Sequence, residues 1–399
     1  MPHMYECTVR LGAWMPFEKV AQFMEEMLGV VVSKATARRY TEEAGAAYVN
    51  LQSEEADRIE REAPPAPAGV EKMVLSADGA MVPLQHGEWA EVKTLALGEV
   101  QAPVQEKGEW VVHTRDVSYF SRLVDAEQFE HLSLVEIHRR GLEHSRKVAA
   151  VTDGADWLQS LIDYHCPQAV RILDFPHAGQ RIGQIGQALL GEEDPQTQPW
   201  IRERLHQLKH QGPTSLLAEL RELKEQHPEM GVLAENLTYL EKRERQMQYP
   251  TYQAQGWPIG SGMVESGNKL VVEARLKGAG MHWERQNVNS LLALRNVVCS
   301  DRWGQEWPRF VDRLRQLAQN RRKQLLEKHR QTKIPATVET VDIPLPDMEP
   351  ITKELIEKQP EKQPEPPQAS GPRRPAANHP WRRSPIGRAR YAPSTSAKN

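Results

Sequence analysis

Three acids in this sequence stand where a carboxylate can be used for chemistry. Asp78 closes the apolar run MVLSADG, Asp153 closes KVAAVTDG, and each precedes a glycine. Glycine permits a sharp turn that leaves the carboxylate exposed at a strand's carboxyl end, the edge where open α/β sheets bind ligands. Asp-Gly is also ordinary turn chemistry, so each site alone has that second reading. Glu265 lies just inside an expected helix after PIGSG, with Ile259, Gly260 and Gly262 forming the approach. A carboxylate there is favoured by the helix dipole, which is again a common first-turn preference.

Carboxylates gathered at one point repel one another, and a divalent cation offsets that repulsion. Hard oxygen ligands suit Mg²⁺ or Mn²⁺. Two such ions about 3.5–4 Å apart activate a water or a 3′-hydroxyl and stabilise the leaving oxygen of a phosphodiester. No protein nucleophile is then required, and Ser261 and Ser266 have no histidine in register to activate them. The expected ligands are Asp78, Asp153 and Glu265.

The elements that position these acids follow from periodicity. Residues 73–84, 91–101 and 109–120 read as strands, 126–143 as a helix, 147–152 as a strand, 155–166 as a helix and 169–174 as a further strand ending in Asp174. Three strands, helix, strand, helix, strand is the pattern of a partly parallel α/β sheet. Residues 179–255 turn polar and helical and read as an insertion, and 256–333 carry the last acid and basic helices.

Ahead of the sheet, FEKVAQFMEEMLG places Phe17, Val20, Phe23, Met24 and Met27 at helical spacing, and Gly29 stops it. Ser33 can cap a second helix, KATARRYTEEAG, ended by Gly45 and carrying Lys34, Arg38 and Arg39. Two short helices with a tight turn fit a helix-turn-helix within residues 1–62, or an ordinary helical pair with a solvated face. APPAPAG in 63–71 reads as a linker to a core beginning at residue 72. The Pro-rich, finally basic stretch 334–399 reads as a disordered tail.

Composition sets the wider bounds. The net charge of −3 does not advertise nucleic-acid binding, so charge is read locally. Residues 265–330 hold fourteen Lys or Arg against seven Asp or Glu, among them Lys269, Arg275 and Lys277, with Trp283 interleaved. Basic residues with an aromatic fit a nucleic-acid track, with a solvated face as the alternative. Cys7, Cys166 and Cys299 form no CxxC pair, which suits a reducing cytoplasm and argues against a cysteine-built zinc site. No run reaches membrane length and no signal peptide is legible, so a soluble cytoplasmic protein is expected.

DGAMVPL, VTDGADW, RILDFPHA, WPIGSGMVESGNKLVVEARLKGAGMHW and LLALRN together resemble the ISKra family of bacterial insertion-sequence transposases over residues 10–310. The resemblance implies an RNase H-like catalytic fold with a helical insertion before the last acid, a DDE triad, and two-metal cleavage and transfer of DNA strands. It also implies element ends and target DNA as partners, brought together by a dimer or larger assembly. In an RNase H-like fold the second acid ends the fourth strand, which selects Asp153; Asp174 ends the fifth. Asp174 and His177, in DFPH, are similar to a supporting Asp-x-x-His pattern of related transposases, and a buried structural pair is the alternative. Relatives carry a longer N-terminal region, often with cysteine pairs, so MPHMYECTVRLGAW reads as a late or altered start. A transposase-derived DNA-binding protein without activity, and a nuclease that cuts without joining, are the rival readings.

Overall fold

The strands place the acids, and seven are present in the computed structural model, which describes residues 2–106 and 109–332. They are β1 (Lys72–Pro83), β2 (Trp89–Val100), β3 (Val104–Glu106), β4 (Glu109–Val111), β5 (Thr114–Arg122), β6 (Lys147–Thr152) and β7 (Val170–Leu173). Five form one sheet in the order β5-β2-β1-β6-β7. β2 runs antiparallel to β1 and β5, whereas β6 is parallel to β1 and β7 parallel to β6. The sheet is therefore mixed, as the alternation of elements predicts. The expected strand over 109–120 is divided: β4 pairs with β3 in a separate two-stranded ribbon, and only β5 joins the main sheet.

β1 does not end at Asp78. It continues five residues further, and Asp78 and Gly79 pair with Thr94 and Lys93 of β2. Gly79 is thus a strand residue and makes no turn, which corrects the Asp-Gly reading at this site. At the other acid the turn is real. Gly154 follows the end of β6 with φ 82°, a left-handed conformation that glycine adopts without a Cβ penalty.

Residues alternate across the faces of β1. Met73, Leu75 and Ala77 pack with Phe129, Leu158 and Ile162 of α4 (Ala126–Arg139) and α5 (Asp156–His165) on one face. On the opposite face Val74 belongs to a cluster with α6 (Phe175–Leu190), α7 (Thr197–Gln211), α8 (Pro213–Gln226), α9 (Gly231–Lys242) and α10 (Tyr249–Ala254). Ala80 and Val82, of the same parity, pack instead with α11 (Gly262–Gly267), the π-helical turn Asn268–Glu273, α12 (Ala274–Leu276) and α13 (Arg285–Cys299). Asp78 shares that parity and falls between the two clusters. The helices of 179–255 accordingly share a core with the strands.

The N-terminal helices are α1 (Pro2–Trp14), α2 (Phe17–Leu28) and α3 (Lys34–Glu62). Gly29 ends α2 in the left-handed conformation, and Ser33 caps α3 by accepting the Thr36 N–H at 3.1 Å, both as the sequence predicts. Gly45 does not end the second helix, which runs on to Glu62. Gly45 lies against the backbone of Ser290 in α13, where a Cβ would collide. Its glycine serves close helix packing, and this corrects its assignment as a terminator. Buried Val9, Ala13, Ala44 and Tyr48 join α1 and α3 to α13 and to α14 (Trp303–Thr332).

The 63–71 segment has no helix or strand, but it is no free tether. The Pro67 carbonyl accepts from His144 Nδ1 at 3.0 Å, and the Val70 N–H donates to Ser145 Oγ at 3.3 Å. The expected tail, 334–399, lies outside the described residues. Among the described residues no helix is long and apolar enough to cross a membrane.

Candidate functional site

Strand register assembles the acids. β1 and β6 pair as far as Leu75 with Ala150, and β6 and β7 as far as Thr152 with Leu173. Continuing the first register by three residues brings Asp78 level with Asp153. Continuing the second by one brings Asp153 level with Asp174. Asp153 and Asp174 thus follow directly on the ends of β6 and β7, and Asp78 lies on β1, the neighbour of β6. Asp78 and Asp153 are both half-buried, whereas Asp174 is fully buried.

Asp174 is saturated with donors. It caps α6 by accepting the His177 N–H at 3.1 Å, and His177 Nδ1–H donates to the same oxygen at 2.6 Å. Its other oxygen accepts the Ser261 N–H at 2.6 Å. Ser261 immediately precedes α11, so the end of β7 is tied to the helix that carries Glu265. The hydrogen bond to Asp174 holds the His177 imidazolium above its usual range, with the charges of Asp174, Asp153 and Asp78 adding to it and partial burial opposing. The imidazole therefore sits within the field of all three aspartates, which favours its protonated form.

Burial pushes the Asp78 carboxyl above its ordinary range, and the Asp153 charge pushes the same way. The Gly79 N–H, the His177 charge and the Asn268 amide pull it back. Asn268 Nδ2 donates to Asp78 Oδ2 at 2.9 Å across 190 positions of sequence. Asn268 is 6% exposed, and its Oδ1 has no donor. Glu265 lies three residues earlier on the same helical face and is half-buried, its Oε1 accepting from Ser261 Oγ at 3.4 Å. As the side chains stand, no group of three or more His, Cys, Asp or Glu among the described residues could hold a metal ion.

The helices of 179–255 grip the Asp153 turn. Tyr239 Oη donates to the Asp153 carbonyl, Arg243 Nε donates to the Gly154 carbonyl at 3.1 Å, and the Arg243 guanidinium lies 3.9 Å from the Tyr239 ring centre. The Asp153 Oδ1 accepts the Ala155 N–H at 2.8 Å, which fixes the carboxylate over the turn. Tyr239, Arg243, Ser261 and Asn268 escape sequence reading. Only Asn268 left a trace, through its i,i+3 spacing from Glu265 in ESGN.

The basic residues divide into two groups. Lys269 is exposed, and Arg39 lies over the Tyr40 ring at 5.3 Å. Lys277 pairs with Glu273 at 2.7 Å, Lys34 with Glu18 at 3.7 Å and Arg38 with Glu42 at 3.5 Å. Arg275 is 1% exposed, contrary to a place on an open phosphate track. Its Nε donates to the Gly12 carbonyl at 3.1 Å, and its guanidinium lies 4.9 Å from the Phe17 ring and 5.2 Å from the Trp283 ring. Trp283 in turn donates its indole N–H to the Leu276 carbonyl at 3.0 Å. These contacts give Arg275 and Trp283 the job of fastening α1 and α2 to the last segment of the core. Lys34, Arg38, Arg275 and Trp283 nevertheless line one cavity of about 450 Å³, together with Glu18 and Glu42.

No curated protein matches the chain in sequence. One family model does, over residues 7–309, a span that holds α2, α3, every strand among the described residues and all the acids discussed above. The chain belongs to that family, the uncharacterised protein family UPF0236.

Proposed function

We propose that the chain is a DDE-type DNA transposase of the kind its resemblance to the ISKra family implies, a metal-dependent enzyme that cleaves and joins phosphodiesters. What carries the reading is that Asp78 on β1 and Asp153, just past the end of the adjacent parallel β6, lie close enough for the Asp153 charge to act on Asp78, with the Glu265 helix reaching Asp78 through Asn268. What supports an RNase H-like core is the position of these acids on the first and fourth strands of the main sheet, side by side, with helices intervening before the last acid.

Asp153 is favoured over Asp174 as the second acid by hydrogen bonding. Both oxygens of Asp174 are committed to His177 and Ser261, and it is fully buried, so it positions other groups. Asp153 is half-buried and keeps one carboxylate oxygen without a donor among the described residues.

The residues suit a hard divalent cation. Burial and the Asp153 charge raise the cost of ionising Asp78, and the Asn268 amide that donates to Asp78 has an undonated oxygen. Asp78, Asp153 and Glu265 would hold Mg²⁺ or Mn²⁺, with Glu265 released from Ser261 to do so. Two bound ions would activate water or a 3′-hydroxyl and stabilise the leaving oxygen. His177 stands at the same edge, where its protonated form would offset negative charge, and Asp174 fixes its ring. The α2–α3 pair with Lys34, Arg38 and Arg39, and Lys269 near the acids, would carry contacts to element ends and target DNA. Two ends must be brought together, so the reading includes a dimer or larger assembly on DNA.

The test is incubation of the full chain with DNA carrying the inverted repeats that bound its gene. Mg²⁺-dependent nicks at the repeat ends with joined products are expected. Cut ends that are never joined favour a nuclease, and binding without cutting favours an inactive DNA-binding relative.

A further inference from the structure

Asn268 is a buried polar side chain that bonds Asp78 and that the triad does not use. It opens the π-helical turn Asn268–Glu273, where the helix from Glu265 leaves α spacing. Such turns recur at functional sites because the extra residue re-aims the side chains around it. The amide orientation is fixed by chemistry: Nδ2 must face the Asp78 carboxylate, because a flipped amide would set Oδ1 against Asp78 Oδ2. That leaves Oδ1 as an acceptor, in a side chain 6% exposed, with nothing donating to it.

A buried carbonyl oxygen without a donor is costly unless another electrophile satisfies it. In a residue bonded to the Asp78 carboxylate and one helical turn from Glu265, the electrophile that suits it is a hard cation, for which an Asn carbonyl is an ordinary ligand. We infer that Asn268 is a fourth ligand of the site, its Oδ1 coordinating a divalent cation while its Nδ2 orients Asp78. The inference rests on the metal-dependent reading above. It accounts for the use of an amide at this position: aspartate would supply oxygen but no donor to Asp78, and leucine neither.

The experiment is Mn²⁺ binding to the full chain, followed by electron paramagnetic resonance and needing no DNA and no turnover. Asn268→Leu is expected to weaken binding at least about tenfold, as loss of a metal-site partner does. Asn268→Asp, which keeps an oxygen, is expected to hold or tighten it. With asparagine labelled by ¹³C at the side-chain carbonyl, the wild-type protein is expected to show ¹³C coupling to bound Mn²⁺ that disappears in Asn268→Asp. This readout stands even if the leucine variant does not fold. Mn²⁺ that Asp78→Ala abolishes, but that shows no ¹³C coupling, overturns the role of Asn268 and leaves the metal site standing. A wild-type protein that binds no Mn²⁺ overturns both.

Discussion

Asp174, at the end of β7, accepts the Ser261 backbone N–H at 2.6 Å, and Ser261 precedes the helix that bears Glu265. One buried carboxylate thus joins two parts of the site separated by 87 positions in sequence. Its other oxygen holds His177, so Asp174 sets the geometry of the edge on both sides. Asp174→Ala leaves the Ser261 N–H and His177 without their acceptor and is expected to cost about 3 kcal/mol. Asp174→Asn, which keeps an acceptor, is expected to cost less. Urea unfolding measures both, and a loss below about 1 kcal/mol for the alanine variant would contradict this role.

Stability should fall as the pH rises through the site's titrations. His177 binds its proton more tightly in the folded chain, so its contribution is fully present below the unfolded value of 6.5 and is lost as pH rises through the higher folded value. Asp78 also has a raised folded value, so the folded state is penalised as pH climbs from 3.8 through it. Melting temperatures in metal-free buffer are expected to decline above pH 6.5 in the wild type. His177→Gln should flatten that decline, and an unchanged slope would count against the assignment.

Gly45 separates two physical expectations. Alanine in place of a mid-helix glycine ordinarily stabilises by about 0.5–1 kcal/mol. Here the added Cβ meets the Ser290 backbone, which cannot swing aside as a side chain can. Gly45→Ala is therefore expected to destabilise by about 1–3 kcal/mol, as overpacking does. A higher melting temperature would show that α3 and α13 do not approach this closely.

Arg275 and Lys269 should respond in opposite ways. Arg275→Met removes a buried guanidinium that donates to Gly12 and lies near Phe17 and Trp283, and should cost about 2 kcal/mol of stability. Lys269→Ala should leave stability within about 0.5 kcal/mol. On the transposase reading, it should also lower the slope of log affinity for DNA against log salt by about 1. Fluorescence anisotropy over a salt series, beside thermal melts, distinguishes the two. The account fails here if Lys269→Ala leaves the slope unchanged.

What the sequence revealed and what it hid have physical causes. Apolar runs bounded by Asp-Gly located β1 and β6, because strands buried on both faces leave near-continuous hydrophobic stretches. The same dipeptide suggested a turn inside the 73–84 strand that is not there, since a pairing partner on β2 overrode the local turn preference of Asp78 and Gly79. Gly45 misled for the same reason, as its neighbour is 245 residues away. The positions of Asp153, just past a strand's end, and of Glu265, in the first turn of α11, were legible from local setting. Asn268, Tyr239 and Arg243 were not, because each acts through a contact between distant segments that carries no local pattern. Arg275 was read as a phosphate contact from its charge alone, whereas its burial is decided by α1 and α2.

The most direct measurement of the central claim is strand cleavage of end-containing DNA by the wild type and by Asp78→Asn, Asp153→Asn and Glu265→Gln in Mg²⁺. These near-isosteric changes keep shape while removing charge. The account predicts nicking at the ends by the wild type and none by any of the three variants, with all four proteins melting cooperatively. Wild-type protein that binds the ends and cuts in neither Mg²⁺ nor Mn²⁺, or an Asp153→Asn variant that cuts as well as wild type, would contradict it.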